Sequence, residues 1–137
     1  MLATAFHETA FTMQPIAEYG KGKGRKYGVP AGPHQKVYYG RGYVQLTWDY
    51  NYKKAQDKLG APFYGDPELA LEPHHAAAIM IRGMVEGWFT GKKLADYLND
   101  QHSDYIGARK IINGTDKAQT IAGYAKKFEA FLAAAGA

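Results

Sequence analysis

Residues 38–52 read YYGRGYVQLTWDYNY, and the two halves of the stretch point to different structures. As far as Leu46 it is aromatic and β-branched and carries Gly40 and Gly42, which predicts a short hairpin or irregular β segment. Thr47 then stands where an N-cap is expected ahead of WDYNYKKAQDKL, and Gly60 occupies the C′ position that closes such a helix. Downstream, Asp66-Pro67 opens a short helix. Pro73 to Phe89, apolar through Ala77, Met80, Ile81, Met84, Val85 and Trp88 and ending near Gly91, predicts the central core helix. Lys93–Asn99, Ser103–Ile112 and Asp116–Ala135 give three more helical segments, the second ending at Asn113-Gly114. Upstream, Met1 to Ala10 has helical character without an N-cap, and Gly20 to Pro33 reads as a solvated, flexible loop. No repeat of 20 to 50 residues is present. The expected class is mainly α with one small β element.

The chain has 137 residues, 46% hydrophobic and 22% charged, the size and balance of one domain spanning 1–137. It has no cysteine, which excludes disulfides, thiolate zinc sites and a thiol nucleophile. Its apolar runs fall far below the roughly 18 residues of a membrane span, and Met1 to Phe6 is too short for a signal sequence. The expectation is a chain made without a signal peptide that does not insert into membranes. A net charge of +4 favours anionic polymers as partners.

His7-Glu8 begins like a zinc-protease motif, but the second histidine would fall at position 11, which is Phe11. His74 and His75 are adjacent, so on a helix they leave about 100° apart and read as ordinary side chains rather than joint ligands. The glycines of GKGKG lack the Gly-Lys-Ser/Thr ending and preceding strand of a phosphate loop. Neither a metal nor a cofactor is expected.

Glu8 and Glu18 read differently. On a helix, Leu2, Ala5, Phe6 and Thr9 share one face and Glu8 points roughly 140° from its centre, outward or into a cleft. Glu18 lies at the mouth of the glycine-rich loop. A carboxylate on a helix opposite one on a loop suits glycosidic hydrolysis, in which one acid protonates the leaving oxygen and the other activates water or attacks the sugar. Tyrosine is abundant, at 11 residues, and Tyr38, Tyr39, Tyr43, Trp48, Tyr50 and Tyr52 cluster within the stretch quoted first. Aromatic faces and hydroxyls suit sugars, although part of such a cluster belongs to the core.

HETA with Glu18, then YYGRGYVQLTWDYNY, then IING resembles glycoside hydrolase family 19, which joins plant-type chitinases to phage and prophage endolysins. The resemblance runs from Leu2 to about Phe131. The short chain, the ten-residue spacing of the glutamates and EGWFTGKKLADYL look more like the compact endolysin branch. The resemblance implies an α-helical, lysozyme-like fold in two lobes, without the further helix that the family carries before its acid-bearing helix. It implies that Glu8 is the general acid, Glu18 the general base, and that Thr47 helps hold the attacking water. Gln45, Tyr50, Asn51 and Asn113 match sugar-contacting positions, and Tyr38 joins them from the aromatic cluster. The family inverts the anomeric centre without a metal, which fits carboxyls about 6.5 to 9.5 Å or more apart. The arginine that chitinases carry in the last helix has no counterpart in QTIAGYAKKF.

The function expected from these readings is an endolysin-type lysozyme, a monomer cutting the β-1,4 bond of peptidoglycan in the bacterial cell wall after release. Lys21, Lys23, Arg25 and Lys26 would dock the anionic wall. A chitinase acting on N-acetylglucosamine polymer is the alternative, and a non-catalytic wall-binding module is the rival from another class. Nucleic acid is not an expected partner, because the densest basic run is a glycine-rich loop rather than a groove-facing element.

Overall fold

The apolar run after Pro73 becomes the central helix of a computed structural model that describes residues 1–113 and 117–136. This helix, α3 in chain order, spans Pro73–Glu86. Its buried stripe is Ala76, Ile79, Met80, Gly83 and Met84, spaced by three and four as one helical face requires. Ile81 and Val85, expected in the core, are 46% and 51% exposed because that spacing leaves them opposite the stripe. The helix also stops earlier than expected: Gly87 takes the left-handed conformation at φ 78°, and Trp88 folds back into the core beyond it.

Around α3 sit the fully buried side chains of Tyr38, Leu46, Tyr52, Phe63 and Ile111. Each large apolar side chain buried in this way contributes about 1.5–3 kcal/mol. Tyr52 comes from α2, Asp49–Leu59, which ends on Gly60 at φ 80° as its sequence predicts. Asp66-Pro67 opens a 3-10 turn, Pro67–Leu71, directly before α3.

The segment 38–46 is not a self-contained hairpin. Arg41–Gly42, strand β2, pairs antiparallel with Ile16–Ala17, strand β1, while Arg41 also exchanges backbone hydrogen bonds with Leu46 at 3.2 and 2.9 Å. The segment thus closes a turn and offers its other edge to a distant strand. Arg41 fixes this corner from inside, although it is 3% exposed. Its guanidinium donates to the carbonyls of Val37 and Tyr39, the hydroxyl of Tyr52 and the carboxylate of Glu68, and it stacks 3.6 Å from the centre of the Tyr39 ring.

The helix expected over Lys93–Asn99 is a 3-10 turn, Leu94–Asp96, followed by a hairpin of β3, Leu98–Asn99, and β4, His102–Ser103. Local side chains compete with helix here: Asp96 accepts from the Lys93 amide, and Asn99 Oδ1 accepts from the amides of Gln101 and His102. The segment after it divides into α4, Tyr105–Ala108, capped by Asp104, and α5, Lys110–Asn113. The expected stops and starts at Gly114 and Asp116 lie outside the described residues. The last helix, α6, is Ala118–Ala134.

The first helix, α1, is Leu2–Glu8. Its buried residues are Ala3, Thr4 and Ala5 with Thr9 beyond it, whereas Leu2 is largely exposed, so the expected face is only half right. Three consecutive buried positions cover more than half the helix circumference, which small side chains permit. Phe6 instead meets Tyr124 and Phe128 of α6, with ring centres 5.1 and 5.9 Å away.

Candidate active site

Where the end of α1, the turn before α2 and α5 converge, they leave a cleft of about 410 Å³ lined in part by Glu8, Tyr27, Gln45, Thr47, Trp48 and Asn51. Two other hollows lie against α6 and are lined mainly by apolar side chains; they hold none of the expected site residues.

Glu8 is the last residue of α1. Thr9 locks that terminus, its hydroxyl donating to the Ala5 carbonyl at 2.7 Å and accepting from the Met13 amide at 3.0 Å. An ionised carboxylate at a helix C-terminus faces the negative end of the dipole. Here the compensating charge is Arg109, whose Nη2 lies 2.7 Å from Glu8 Oε1. The guanidinium is 1% exposed and the carboxylate 19%, so the pair is anchored on the interior side and open on the other.

Glu18 follows β1, and its backbone amide donates to the Gly40 carbonyl at 2.7 Å. Its side chain takes two neutral donors, Tyr27 Oη on Oε1 at 3.0 Å and the Gly40 amide on Oε2 at 3.1 Å. It does not line the cleft itself; Tyr27 stands between and reaches both. Burial first, and the hydrogen bond to Glu18 second, hold the Tyr27 phenol above its ordinary pKa, which keeps it a donor. A Cβ at Gly40 would meet Gln45 Oε1 at 2.7 Å and Gln45 Cβ at 3.3 Å, so a side chain there would have to displace Gln45.

The glycine-rich loop that carries Tyr27 is a run of turns rather than a flexible strand of chain. Backbone bonds run from Lys21 to Glu18, Lys23 to Gly20, Arg25 to Gly22 and Gly28 to Arg25. Gly28 and Gly22 then touch so closely that a Cβ on Gly28 would lie 1.8 Å from the Gly22 carbonyl oxygen. Lys21, Lys23, Arg25 and Lys26 project outward from this closed loop.

Thr47 does not cap α2. Its hydroxyl donates to the Gln45 carbonyl at 2.7 Å, and Trp48 takes the cap position at φ 75°. Gln45, at φ 55°, is a second non-glycine residue in the left-handed half of the map. Such backbone costs about 1–3 kcal/mol per residue and concentrates at functional sites. It turns the Trp48 indole against Tyr27, with ring centres 5.3 Å apart, and parallel to Tyr50 at 5.9 Å and 18°. Tyr50 is 58% exposed and extends this aromatic surface outside the cleft. Asn51 Nδ2 donates to the Thr47 carbonyl at 2.9 Å, and Gln45 Nε2 donates to the Ile16 and Gly42 carbonyls.

Tyr38 does not belong with these residues. It is 1% exposed, its hydroxyl donates to the Tyr64 carbonyl at 2.7 Å, and its ring stacks on Tyr64; the polar handle that suggested sugar contact is satisfied inside the core. The side chain of Asn113 lies outside the described residues. The structure adds Arg109 and Tyr27, which no motif identified, and singles out Trp48 from the aromatic cluster. Arg109 left one signal, a permanent charge inside the apolar run of α4 and α5.

The histidines also depart from expectation. His74 and His75 do not diverge: their ring centres are 3.9 Å apart, and both face Glu72.

A family model described as Chitinase class I, glycoside hydrolase family 19, matches residues 16–125. The match includes Glu18 and the cleft wall from Tyr27 to Asn51 but begins after Glu8. An endochitinase of Arabidopsis thaliana is 40% identical over 78 residues, which is 56% of this chain and 27% of the relative. Chitinase 11 of Oryza sativa subsp. japonica is 29% identical over 121 residues, covering 70% of this chain and 46% of the relative. The chain therefore spans less than half the length of these two relatives. The crystal structure of chitinase C from Streptomyces griseus superposes with a TM-score of 0.52 at 26% identity, over 89% of this chain and 57% of that one.

Proposed function

The chain belongs to glycoside hydrolase family 19, and from that premise we propose that it hydrolyses the β-1,4 bonds of peptidoglycan, with Glu8 as general acid and Glu18 as general base. The observation that carries the proposal is that one cleft joins Glu8 to Gln45, Thr47 and Asn51, and is closed by a tyrosine bonded to Glu18.

Each group has a role that its hydrogen bonds leave open. In its acid form Glu8 carries a proton on Oε2, away from Arg109, gives it to the leaving oxygen and becomes an anion as the bond breaks. Arg109, already on Oε1, stabilises that developing charge in place, with no reorganisation at the moment of reaction. Glu18 accepts two neutral bonds and keeps lone pairs to take a proton from water. The Thr47 hydroxyl spends its one proton on the Gln45 carbonyl, so toward the cleft it only accepts. Once the Tyr27 hydroxyl that stands between Glu18 and the cleft gives way, a water donating to Thr47 and Glu18 keeps a lone pair free for the anomeric carbon, the arrangement of inversion. Asn51 retains its amide oxygen for a sugar hydroxyl or N-acetyl group, and the Trp48–Tyr50 stack offers a face to a pyranose ring.

Peptidoglycan is favoured over an uncharged polymer by the net charge of +4 and by four exposed cations on the turn-locked loop beside Tyr27. Chitin is the second reading, favoured by relatives that carry the name chitinase. Turbidity loss of purified bacterial walls, set against sugar released from chitin, separates the two. Following the anomer of the new reducing end by NMR tests the inverting mechanism. Glu8→Gln and Glu18→Gln variants that clear walls at the parental rate would remove the catalytic assignment and leave a binding module.

A further inference from the structure

Glu72-Pro73-His74-His75 forms the entry to α3, and three side chains converge there. Glu72 Oε2 lies 3.7 Å from His74 Nε2 and 3.5 Å from His75 Nε2, and one ligand atom from each residue lies within 4.8 Å of the other two. The 100° divergence of neighbours on a helix is overcome at this first turn. Every Cα–Cβ bond tilts toward the helix N-terminus, where no earlier turn blocks the imidazoles from swinging back over Glu72.

The spacing has a chemical meaning. Zinc held tetrahedrally at about 2.0–2.2 Å from nitrogen and oxygen sets its ligand atoms roughly 3.3–3.5 Å apart. The two distances to Glu72 need to change by only a few tenths of an ångström. Two imidazoles and one carboxylate suit zinc, nickel or copper; calcium and magnesium prefer oxygen alone. One ligand is already fixed, since the His75 ring packs edge-on against Phe63 at 5.1 Å. His74 and Glu72 are open to solvent, which gives an ion its entry and leaves a fourth position for water.

We propose that Glu72, His74 and His75 bind one divalent transition-metal ion, with zinc as the best match, at the N-terminus of α3. None of the three lines the cleft, so the ion acts on the stability of the folded chain rather than on the reaction. An ion that binds the folded state alone stabilises it by RT ln(1 + c/Kd) at free ion concentration c, so the melting temperature keeps rising with ion concentration even past saturation.

The test is calorimetric titration of the untagged, full-length chain with zinc, then nickel, calcium and magnesium, together with thermal unfolding at each zinc concentration. The expected result is one equivalent of zinc or nickel, no heat from calcium or magnesium, and a melting temperature that climbs with zinc. Glu72→Gln and His74→Ala should each weaken binding by at least tenfold, since even outer partners of metal ligands are worth roughly 10–100-fold. Both side chains face solvent, and an unchanged metal-free melting temperature shows that the variants fold. His75→Ala also removes the contact with Phe63, so it is read only beside these two. Absence of zinc heat overturns the proposal. So does undiminished binding in Glu72→Gln and His74→Ala, which would assign the ion to His7, His34 or His102.

Discussion

Glu8 ends a helix and is held by a charge that arrives from 101 residues away in the chain. Glu18 follows a two-residue strand and is held by a phenol and a backbone amide, both neutral and both supplied by the turns around it. The acid side therefore depends on the packing of α1 and α4 on α6, which brings Arg109 to Glu8, and the base side on hydrogen bonds within residues 16–46. The contrast suits the two proposed roles. The acid acquires charge during the reaction and has a fixed counter-charge waiting, while the base loses charge and is surrounded by donors that tolerate either form.

Replacing each carboxyl with its amide is the strongest way to probe the contrast. General acid and base groups contribute roughly 10²–10⁴-fold in rate, and wall clearance by Glu8→Gln and Glu18→Gln should fall within that range. Their stabilities should separate. A glutamine carbonyl can replace the Oε1 bond that Glu8 accepts, but it removes the charge that faces the 1% exposed guanidinium of Arg109, and breaking a buried pair costs roughly 3–5 kcal/mol. In Glu18→Gln the carbonyl keeps the Gly40 amide and the amide nitrogen can donate to the Tyr27 hydroxyl, which turns its own proton away, so the cost is about 0.5–1.5 kcal/mol. Urea unfolding should show Glu8→Gln as the weaker fold; equal midpoints would show that the Glu8–Arg109 pair carries no load in solution.

The Glu18 wall has its own buried charge in Arg41, and removing it tests how much that wall owes to turns alone. Arg41→Ala strips the Val37 carbonyl and the Tyr52 hydroxyl of their donor and leaves the Tyr39 carbonyl only the Tyr52 hydroxyl, for which a loss of about 1–3 kcal/mol per unmet group is expected. Arg41→Lys should recover little, because a single ammonium cannot span a carboxylate, two carbonyls and a phenol. The same cluster sets an alkaline limit. Burial pushes the Tyr52 phenol far above its ordinary value, with Arg41 acting in the opposite sense. The unfolded chain releases that proton near pH 10 and the folded chain does not, so this contribution is complete below about pH 10 and lost as pH rises further. A melting temperature followed from pH 8 upward should fall beyond 10, and Tyr52→Phe should flatten part of the fall.

How far the sequence reveals this arrangement depends on the range of the interactions. The helix stop at Gly60 and the proline openings at Pro67 and Pro73 are local chemistry and can be read in place. Gln45, Thr47 and Asn51 lie within seven residues and one turn, yet the family resemblance marks them rather than local chemistry, which reads Thr47 as a cap that it does not form. The hairpin at residues 98–103 is hidden because Asn99 and Asp96 satisfy amides that a helical reading assigns to carbonyls. Tyr38 is misread for a related reason: its hydroxyl finds the Tyr64 carbonyl, a partner that composition cannot distinguish from a sugar. Arg109 is hidden by distance, since its significance exists only once α1 and α4 have both packed on α6. Trp48 is hidden by conformation, because nothing in its identity announces a positive φ.

The smallest change that still separates the two walls is Tyr27→Phe. It removes one neutral hydrogen bond from Glu18 and leaves the Gly40 amide on Oε2, while the ring can keep its contact with Trp48 at 5.3 Å. A bond of that kind contributes about 0.5–1.5 kcal/mol, so kcat should fall by roughly two- to tenfold with little change in KM, the aromatic surface being intact. The matching change on the other wall, Arg109→Gln, removes a charge rather than a dipole. It should cost considerably more in kcat and shift the pH profile, because the anion that Glu8 becomes loses its counter-charge. If Tyr27→Phe proves as damaging as Arg109→Gln, the phenol orders the base wall as a whole, and the idea of a base that is only lightly held must be given up.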